Sequence, residues 1–358
     1  MLVHICCSVD SHFFLSKLKK LYPNEKLIGF FYDPNIHPLS EYELRFLDVK
    51  RSCNKLNIKL FKGDYDYELW LDAVKNFENE PEKGLRCEIC FDKRIHKTIE
   101  FALKIGEKKI TTTLLASPKK DLNQLQKSLQ KECDKYNIEF LTPDFRKNGG
   151  TQRQFQLAKQ EKLYHQNYCG CIFALIKQKQ KNIFIDELMS PITKQILPAS
   201  INDKILLYKN INILEKKAIK FDIKREKFLN YRLLYCLIKF DKIPIKAHIL
   251  FYSHFKHNHI NFTITQNNHN GILESFKDEL IFWDFEYFNK LCKNKFKNFI
   301  HFLNNPLSIK NEIKLRYKLL GNYNLNPIII CEKLPNKKVE ISVKSEIYFD
   351  IREKIVLL

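Results

Sequence analysis

Hydrophobic and polar positions alternate in blocks along the first half of the chain. Apolar or β-favouring runs at 2–6, 26–32, 59–61 and 109–115 predict strands, the second and last nearly continuous in such residues. Between them, helical patterns of apolar positions predict helices over 13–21, 41–56, 67–77 and 122–136. Strands alternating with helices argue for a parallel sheet covered by helices, in which ligands bind outside the carboxyl ends of the strands. The first strand ends in Cys6-Cys7 and the second in Tyr32-Asp33-Pro34-Asn35, so chemistry is expected at both ends.

After Cys171 the apolar stretch 172–176 predicts a helix leading into a Lys/Gln run at 177–181. Residues 184–199, with Pro191 and Pro198, read as a linker. From 200 to 358 aromatics and Asn abound, and 260–265 and 338–343 look like strands. Asn270-Gly271 and Pro335-Asn336 are turn signals that suit hairpins. The fold class expected is α/β: an N-terminal Rossmann-like domain over 1–183 and a C-terminal mixed α/β extension over 200–358. There is no internal repeat.

Composition narrows the setting. The 358 residues, 44% hydrophobic and 28% charged, suffice for two ordinary domains with their own cores. No run of 18 apolar residues occurs, so no membrane partner is expected. The first residues lack a basic segment and a small-residue cleavage site, so the expected compartment is the cytoplasm. Thiols stay reduced there, and paired cysteines serve metals or catalysis more often than stapling. A net charge of +20 points to a polyanionic partner, nucleic acid foremost, although a general drift toward Lys, Asn, Ile and Phe contributes.

Six of the 11 cysteines fall into three close pairs: Cys6-Cys7, Cys87-x-x-Cys90 and Cys169-Gly170-Cys171. Cys6-Cys7 lies in Cys6-Cys7-Ser8-Val9-Asp10-Ser11, between a strand and a helix. PP-loop ATPases carry a glycine-bearing phosphate cradle at that position. Here the glycines are absent and thiols occupy the loop, so the reading is a HUP/PP-loop-like fold whose phosphate loop holds metal instead. Neighbouring strand residues point to opposite faces, which disfavours burial of both thiols as packing. A helix starting near Arg86 would put Cys87 and Cys90 on one face. Alone, that spacing fits zinc, an iron–sulfur centre or a redox pair; with Cys6 and Cys7 it makes four ligands, the number a 4Fe–4S cubane uses. Arg94, one turn after Cys90, could neutralise cluster charge. Cys169-Gly170-Cys171 permits a small, strained, easily reduced disulfide, suited to passing two electrons.

Tyr32, Asn35, His37, Glu41, Tyr42 and Arg45 form a dense polar group around the second strand's end, where substrate contact competes with ordinary helix-surface pairing of Glu41 and Arg45. His254, His257 and His259 lack a carboxylate or cysteine to complete a metal site and read as solvated or RNA-facing. Cys53, Cys133, Cys236, Cys292 and Cys331 read as packing.

Taken in order, the motifs His4-x-Cys6-Cys7, Tyr32-x-Pro34-Asn35-Ile36-His37-Pro38-x-x-Glu41-Tyr42-x-x-Arg45, Glu80-Pro81-Glu82-x-Gly84-x-Arg86-Cys87-x-x-Cys90, Asp144-Phe145-Arg146-Lys147, Gly149-Gly150-Thr151-Gln152 and Gln166-Asn167-Tyr168-Cys169-Gly170-Cys171 closely resemble the cobalamin-independent epoxyqueuosine reductases, the QueH family. The resemblance spans roughly residues 1–180. It implies reductive removal of the epoxide oxygen from epoxyqueuosine at the wobble position of tRNA with a GUN anticodon, the last step in making queuosine. It further implies a 4Fe–4S cluster on Cys6, Cys7, Cys87 and Cys90, and a redox-active Cys169–Cys171 disulfide recharged by an external electron donor. The family often has a third cysteine where this chain has Asp10, so a carboxylate ligand or an additional iron ion is expected there. Arg86, Arg146, Lys147, Arg153 and the Lys/Gln run are expected to meet substrate or phosphate. His37, Tyr32 and Asp10 are candidate proton donors. Two other readings stay open: a tRNA thiolation enzyme on the PP-loop fold, and an RNA-binding protein with a structural metal.

Overall fold

The structure, a computed structural model, describes residues 1–166, 168–179, 195–265, 270–275 and 277–358. Residues 184–194 of the expected linker, the 183/184 boundary and positions 180–181 of the Lys/Gln run lie outside them. Two compact units emerge: Met1–Leu188 with Lys204–Ile223 and Ile355–Leu358, and Met189–Asp203 with Lys224–Lys354. The extension expected from residue 200 thus lends two segments to the first unit.

The first unit is built on five parallel strands, β1 (Leu2–Ile5), β2 (Ile28–Phe31), β3 (Lys59–Lys62), β4 (Lys109–Thr112) and β5 (Glu139–Phe140), in the order 3-2-1-4-5. All four residues of β1 are buried, and Leu2 lies between Ile28 and Ile110. A strand covered on both faces reads as a continuous apolar run rather than an alternating one. The helices are α1 (Ser8–Leu21), α2 (Leu39–Lys55), α3 (Tyr67–Ala73), α4 (Leu85–Lys104), α5 (Leu122–Asp134), α6 (Gly150–Gln160), α7 (Ile172–Lys179) and α8 (Ile201–Lys216). The strand order reverses between β1 and β4, which opens a crevice at their carboxyl ends.

Among the boundaries that differ from expectation, two matter to the site. The first helix begins at Ser8, not at 13: Cys7 is its extended N-cap residue and Asp10 lies in its first turn, where a carboxylate suits the helix dipole. Strand β4 stops at Thr112 instead of 115, because the Thr112 hydroxyl accepts from the Leu114 amide and turns the chain into a 3-10 segment, Thr113–Ala116. Helix α4 buries Cys90, Phe91, Arg94, Ile95, Thr98, Ile99 and Ala102 along one stripe. Each large apolar side chain so buried contributes roughly 1.5–3 kcal/mol.

The second unit is mixed α/β, as expected. One sheet has the order β10-β11-β12-β8 and another β7-β6-β13-β9. Their strands are β6 (Phe221–Phe240), β7 (Ile243–Pro244), β8 (Ala247–Ile249), β9 (His259–Thr263), β10 (Ile272–Glu274), β11 (Ile281–Asp284), β12 (Ile328–Cys331) and β13 (Lys338–Leu357). Helices α9 (Phe285–Leu291), α10 (Phe299–Asn304) and α11 (Ile309–Leu320) follow β11. Neither expected hairpin forms. Strand β9 pairs with β13 while β10 pairs with β11, and β12 pairs with β8 and β11, so each turn signal joins strands of different sheets. A tight hairpin forms at Asp241-Lys242 between β6 and β7, both residues at positive φ (49° and 70°). Among the described residues no helix is long and apolar enough to cross a membrane.

Candidate active site

All three cysteine pairs sit at the amino ends of helices. Cys7 is the N-cap residue of α1, Cys87 and Cys90 lie in the first two turns of α4, and the Cys171 carbonyl accepts from Leu175 to open α7. Unpaired amides and the helix dipole favour negative charge there, and a thiolate is the form that binds metal. The sequence spaced these pairs far apart; the sheet supplies the common end.

Cys6, Cys7 and Asp10 present sulfur or oxygen atoms all within 4.8 Å of one another, and Cys87 and Cys90 are not part of that group. The Cys6 and Cys7 sulfurs are 3.8 Å apart, and Cys6 Sγ is 3.8 Å from Asp10 Oδ2. A tetrahedral ion with metal–sulfur bonds of about 2.3 Å needs a sulfur–sulfur edge of about 3.8 Å. Gln154 Nε2 donates to the other oxygen, Asp10 Oδ1, at 2.6 Å. Burial lifts the Asp10 carboxyl to about 6. The Cys7 thiol is pushed up by its hydrogen bond with Cys6 and by burial. Cys90 packs with Cys169, Cys171 and Trp70 in one small cluster, and burial raises its thiol too.

Two cations stand among these sulfurs. Arg94, 3% exposed, pairs with Asp33 at 3.1 Å and donates to Asn35, and its charge acts on Cys90, Cys6 and Cys169. Among the described residues its Nε has no hydrogen-bond partner. Lys120 is raised, against burial, by Cys169, Cys87 and Cys90. Arg146 donates to the carbonyls of Ser117 (3.1 Å) and Lys120 (3.0 Å), so it holds the loop that carries Lys120. Arg86 is likewise spent on protein: its fork caps the Phe77 and Glu78 carbonyls at 3.2 and 2.7 Å.

An open cavity lies in the crevice. Cys6, Cys7, Asp10, Arg45, Arg94 and Cys169 line it, with Lys119, Lys120, Phe155, His165 and Tyr168. The other expected site residues lie off its wall. Tyr32 donates to Asp66 at 2.9 Å and Tyr42 to the Gly63 carbonyl at 2.9 Å. Asn35, His37, Glu41 and Arg45 all bond toward the 164–170 segment. Cys169 and Cys171 are free thiols; the Cys171 hydrogen bond holds Cys169 below its ordinary range, helped by Lys120, and the same bond raises Cys171.

Sequence reasoning missed Lys120, Gln154 and Phe155. The signal for the last two was the glycine pair that opens α6: Gly149, its N-cap, has φ 74°, and a Cβ on Gly150 would lie 1.8 Å from the Phe145 carbonyl oxygen. Only glycine lets the chain turn so tightly, and that turn aims α6 into the crevice.

The family described as epoxyqueuosine reductase QueH matches residues 1–177. The epoxyqueuosine reductase QueH of Helicobacter pylori is 39% identical over 96% of this chain and 97% of its own length. The Thermotoga maritima protein of the same name is 36% identical over 51% of this chain and 93% of its own. Residues beyond 180, expected to fall outside the resemblance, therefore have a counterpart in the first relative, and the second is almost spanned by half of this chain. Among solved structures, the U34-tRNA thiolase NcsA from Methanococcus maripaludis with its [4Fe-4S] cluster overlaps 60% of this chain and 72% of its own, at 10% identity and a TM-score of 0.30.

Proposed function

The chain belongs to the epoxyqueuosine reductase QueH family, a family of tRNA-modifying oxidoreductases, and on that basis we propose how its residues divide the work. Cys6, Cys7, Cys87 and Cys90 hold a 4Fe–4S cluster, with Asp10 as an oxygen ligand to it or to a neighbouring iron ion. Cys169 and Cys171 are the two-electron store. The substrate is the modified wobble base of tRNA with a GUN anticodon, met in the cytoplasm.

The observation that carries this reading is the gathering of three cysteine pairs, each at the amino end of a helix, around Arg94 and Lys120. The donor set fits iron: buried thiols, one carboxylate, and beside them a buried Arg94 Nε–H with no acceptor among the described residues. Ligands of a cubane sit on separate irons, so Cys87 and Cys90 need not share a close edge with Cys6, and Cys6 and Cys7 would part from their 3.8 Å contact to hold it. When bound, the cluster supplies single-electron transfer and a Lewis acid for the epoxide oxygen.

The protein's own groups do the rest. Reduction of the epoxide to an alkene takes two electrons and two protons and releases water; two thiols becoming a disulfide release two electrons and two protons. The balance closes, and an external donor then restores the dithiol. Cys169, on the cavity wall, is the nearer thiol of the pair. Phe155, His165 and Tyr168 offer aromatic faces on which a splayed base can stack, and Lys119 and Lys120 offer charge to its phosphates.

The test is turnover of epoxyqueuosine-containing tRNA by anaerobically purified protein and its Cys169→Ser variant. The variant should keep its iron and its brown colour yet lose turnover. Colourless wild-type protein with stoichiometric zinc would sink the cluster assignment.

A further inference from the structure

The polar segment 35–45 contributes a single residue, Arg45, to the cavity wall. Its hydrogen bonds run elsewhere. Three consecutive carbonyls are pinned: Tyr168 by Arg45 Nη2 at 3.1 Å, Cys169 by Arg45 Nη1 at 3.1 Å, and Gly170 by the His37 amide at 2.9 Å. Arg45 Nε donates to Glu41 Oε1 at 2.8 Å, and the Tyr164 hydroxyl donates to Glu41 Oε2 at 2.9 Å. The Tyr168 hydroxyl closes the ring of contacts on the His37 carbonyl at 2.6 Å. Arg45 and Glu41 are 3% and 1% exposed.

We propose that Arg45, oriented by Glu41, is a positioning residue that clamps the Cys169-Gly170-Cys171 turn in the shape from which its two thiols close to a disulfide. The proposal rests on reading that pair as the electron store. Burying a guanidinium and a carboxylate together gives little net stability, since their desolvation offsets their attraction. What the pair gives is geometry: a planar fork whose three nitrogens reach one carboxylate and two adjacent carbonyls, which a lysine cannot do. Gly170 adds a second constraint. It sits at φ 105°, and a Cβ there would lie 2.7 Å from Ile36 Cγ1 and 3.1 Å from Ile36 Cα. With the backbone fixed on folding, the ordering cost of ring closure is already met, which raises the effective concentration of one thiol at the other. The reaction served is the balanced one above: two thiols form one S–S bond, and their electrons and protons go to the epoxide.

The experiment equilibrates anaerobic holoenzyme in glutathione buffers of stepped ratio, quenches with acid, alkylates, and measures the Cys169–Cys171 disulfide by peptide mass spectrometry. Arg45→Gln and Arg45→Lys should both lower the closure constant at least about tenfold with iron content unchanged. Arg51→Gln is the control: its fork holds the Glu161 and Lys162 carbonyls, so it should lower Tm without moving the closure constant. A wild-type constant in Arg45→Gln overturns the clamp. So does full retention in Arg45→Lys, which would mean that charge alone acts. If Cys169→Ser keeps turnover, the electron-store reading fails, while the measured effect of Arg45 on closure stands by itself.

Discussion

Gln154 donates from Nε2 to Oδ1 of Asp10 at 2.6 Å, across 144 positions of sequence, and so leaves Oδ2 facing Cys6 Sγ at 3.8 Å. A residue that touches no sulfur thereby decides where the carboxylate points. Gln154→Leu should weaken iron retention at that corner by about 10–100-fold, the usual cost of losing a partner that orients a metal ligand. A chelator titration with iron counted per chain checks it; a wild-type profile would leave Gln154 as packing.

His4 links three elements. One ring nitrogen meets the Thr112 hydroxyl at 2.8 Å, and Nε2 donates to the Tyr32 carbonyl at 2.8 Å. Burial, with Arg94 adding to it, lowers its pKa to about 3. The unfolded chain binds a proton near pH 6.5 and the folded one only near 3, so stability is fully present above about 6.5 and falls as pH drops toward 3. Urea unfolding of the metal-free protein between pH 7.5 and 4.5 should show that loss. His4→Gln should be less stable at pH 7.5 but flatter with acid; an equally steep acid limb would assign the loss to other groups.

Arg94 brings a cation and an unsatisfied Nε–H among Cys6, Cys90 and Cys169. Removing positive charge and hydrogen bonding from a cluster's surroundings favours its oxidised, less negative state. Arg94→Gln should shift the cluster midpoint to more negative potential, and adding Asp33→Asn, which removes the paired negative charge, should return part of that shift. A redox titration followed by EPR measures this directly. An unmoved midpoint would restrict Arg94 to holding Asp33 and Asn35.

Helix α11 carries Lys310, Lys314 and Lys318 four residues apart, all exposed. Like charges at that spacing destabilise a helix, and a polyanion would relieve the repulsion. The variant with all three changed to Gln should bind tRNA more weakly. Its log–log salt slope should shrink by up to about 0.7–0.9 for each phosphate that is no longer neutralised. Unchanged affinity and slope would give the second unit a role other than gripping RNA.

Much of this was written in the residue order. Apolar runs and helical periodicity were enough for the parallel sheet, and the ordered motifs from His4-x-Cys6-Cys7 to Tyr168-Cys169-Gly170-Cys171 were enough for the family. These signals are local: a thiol pair or a buried strand looks the same wherever it lies. The turn signals Asn270-Gly271 and Pro335-Asn336 were also local and misled, because a turn says that the chain bends and not which strand it will pair with.

Residue order alone established which positions carry sulfur and which segments form the sheet. Where the polar side chains of 32–45 point was settled by the folded packing and by nothing earlier. Asn35, Glu41 and Arg45 read alike whether they face a substrate or a backbone, and their partners at 164–170 lie more than 120 residues away. A buried arginine meeting carbonyls leaves no periodic mark, since carbonyls belong to every residue. Only the approach of distant segments in space could set those directions.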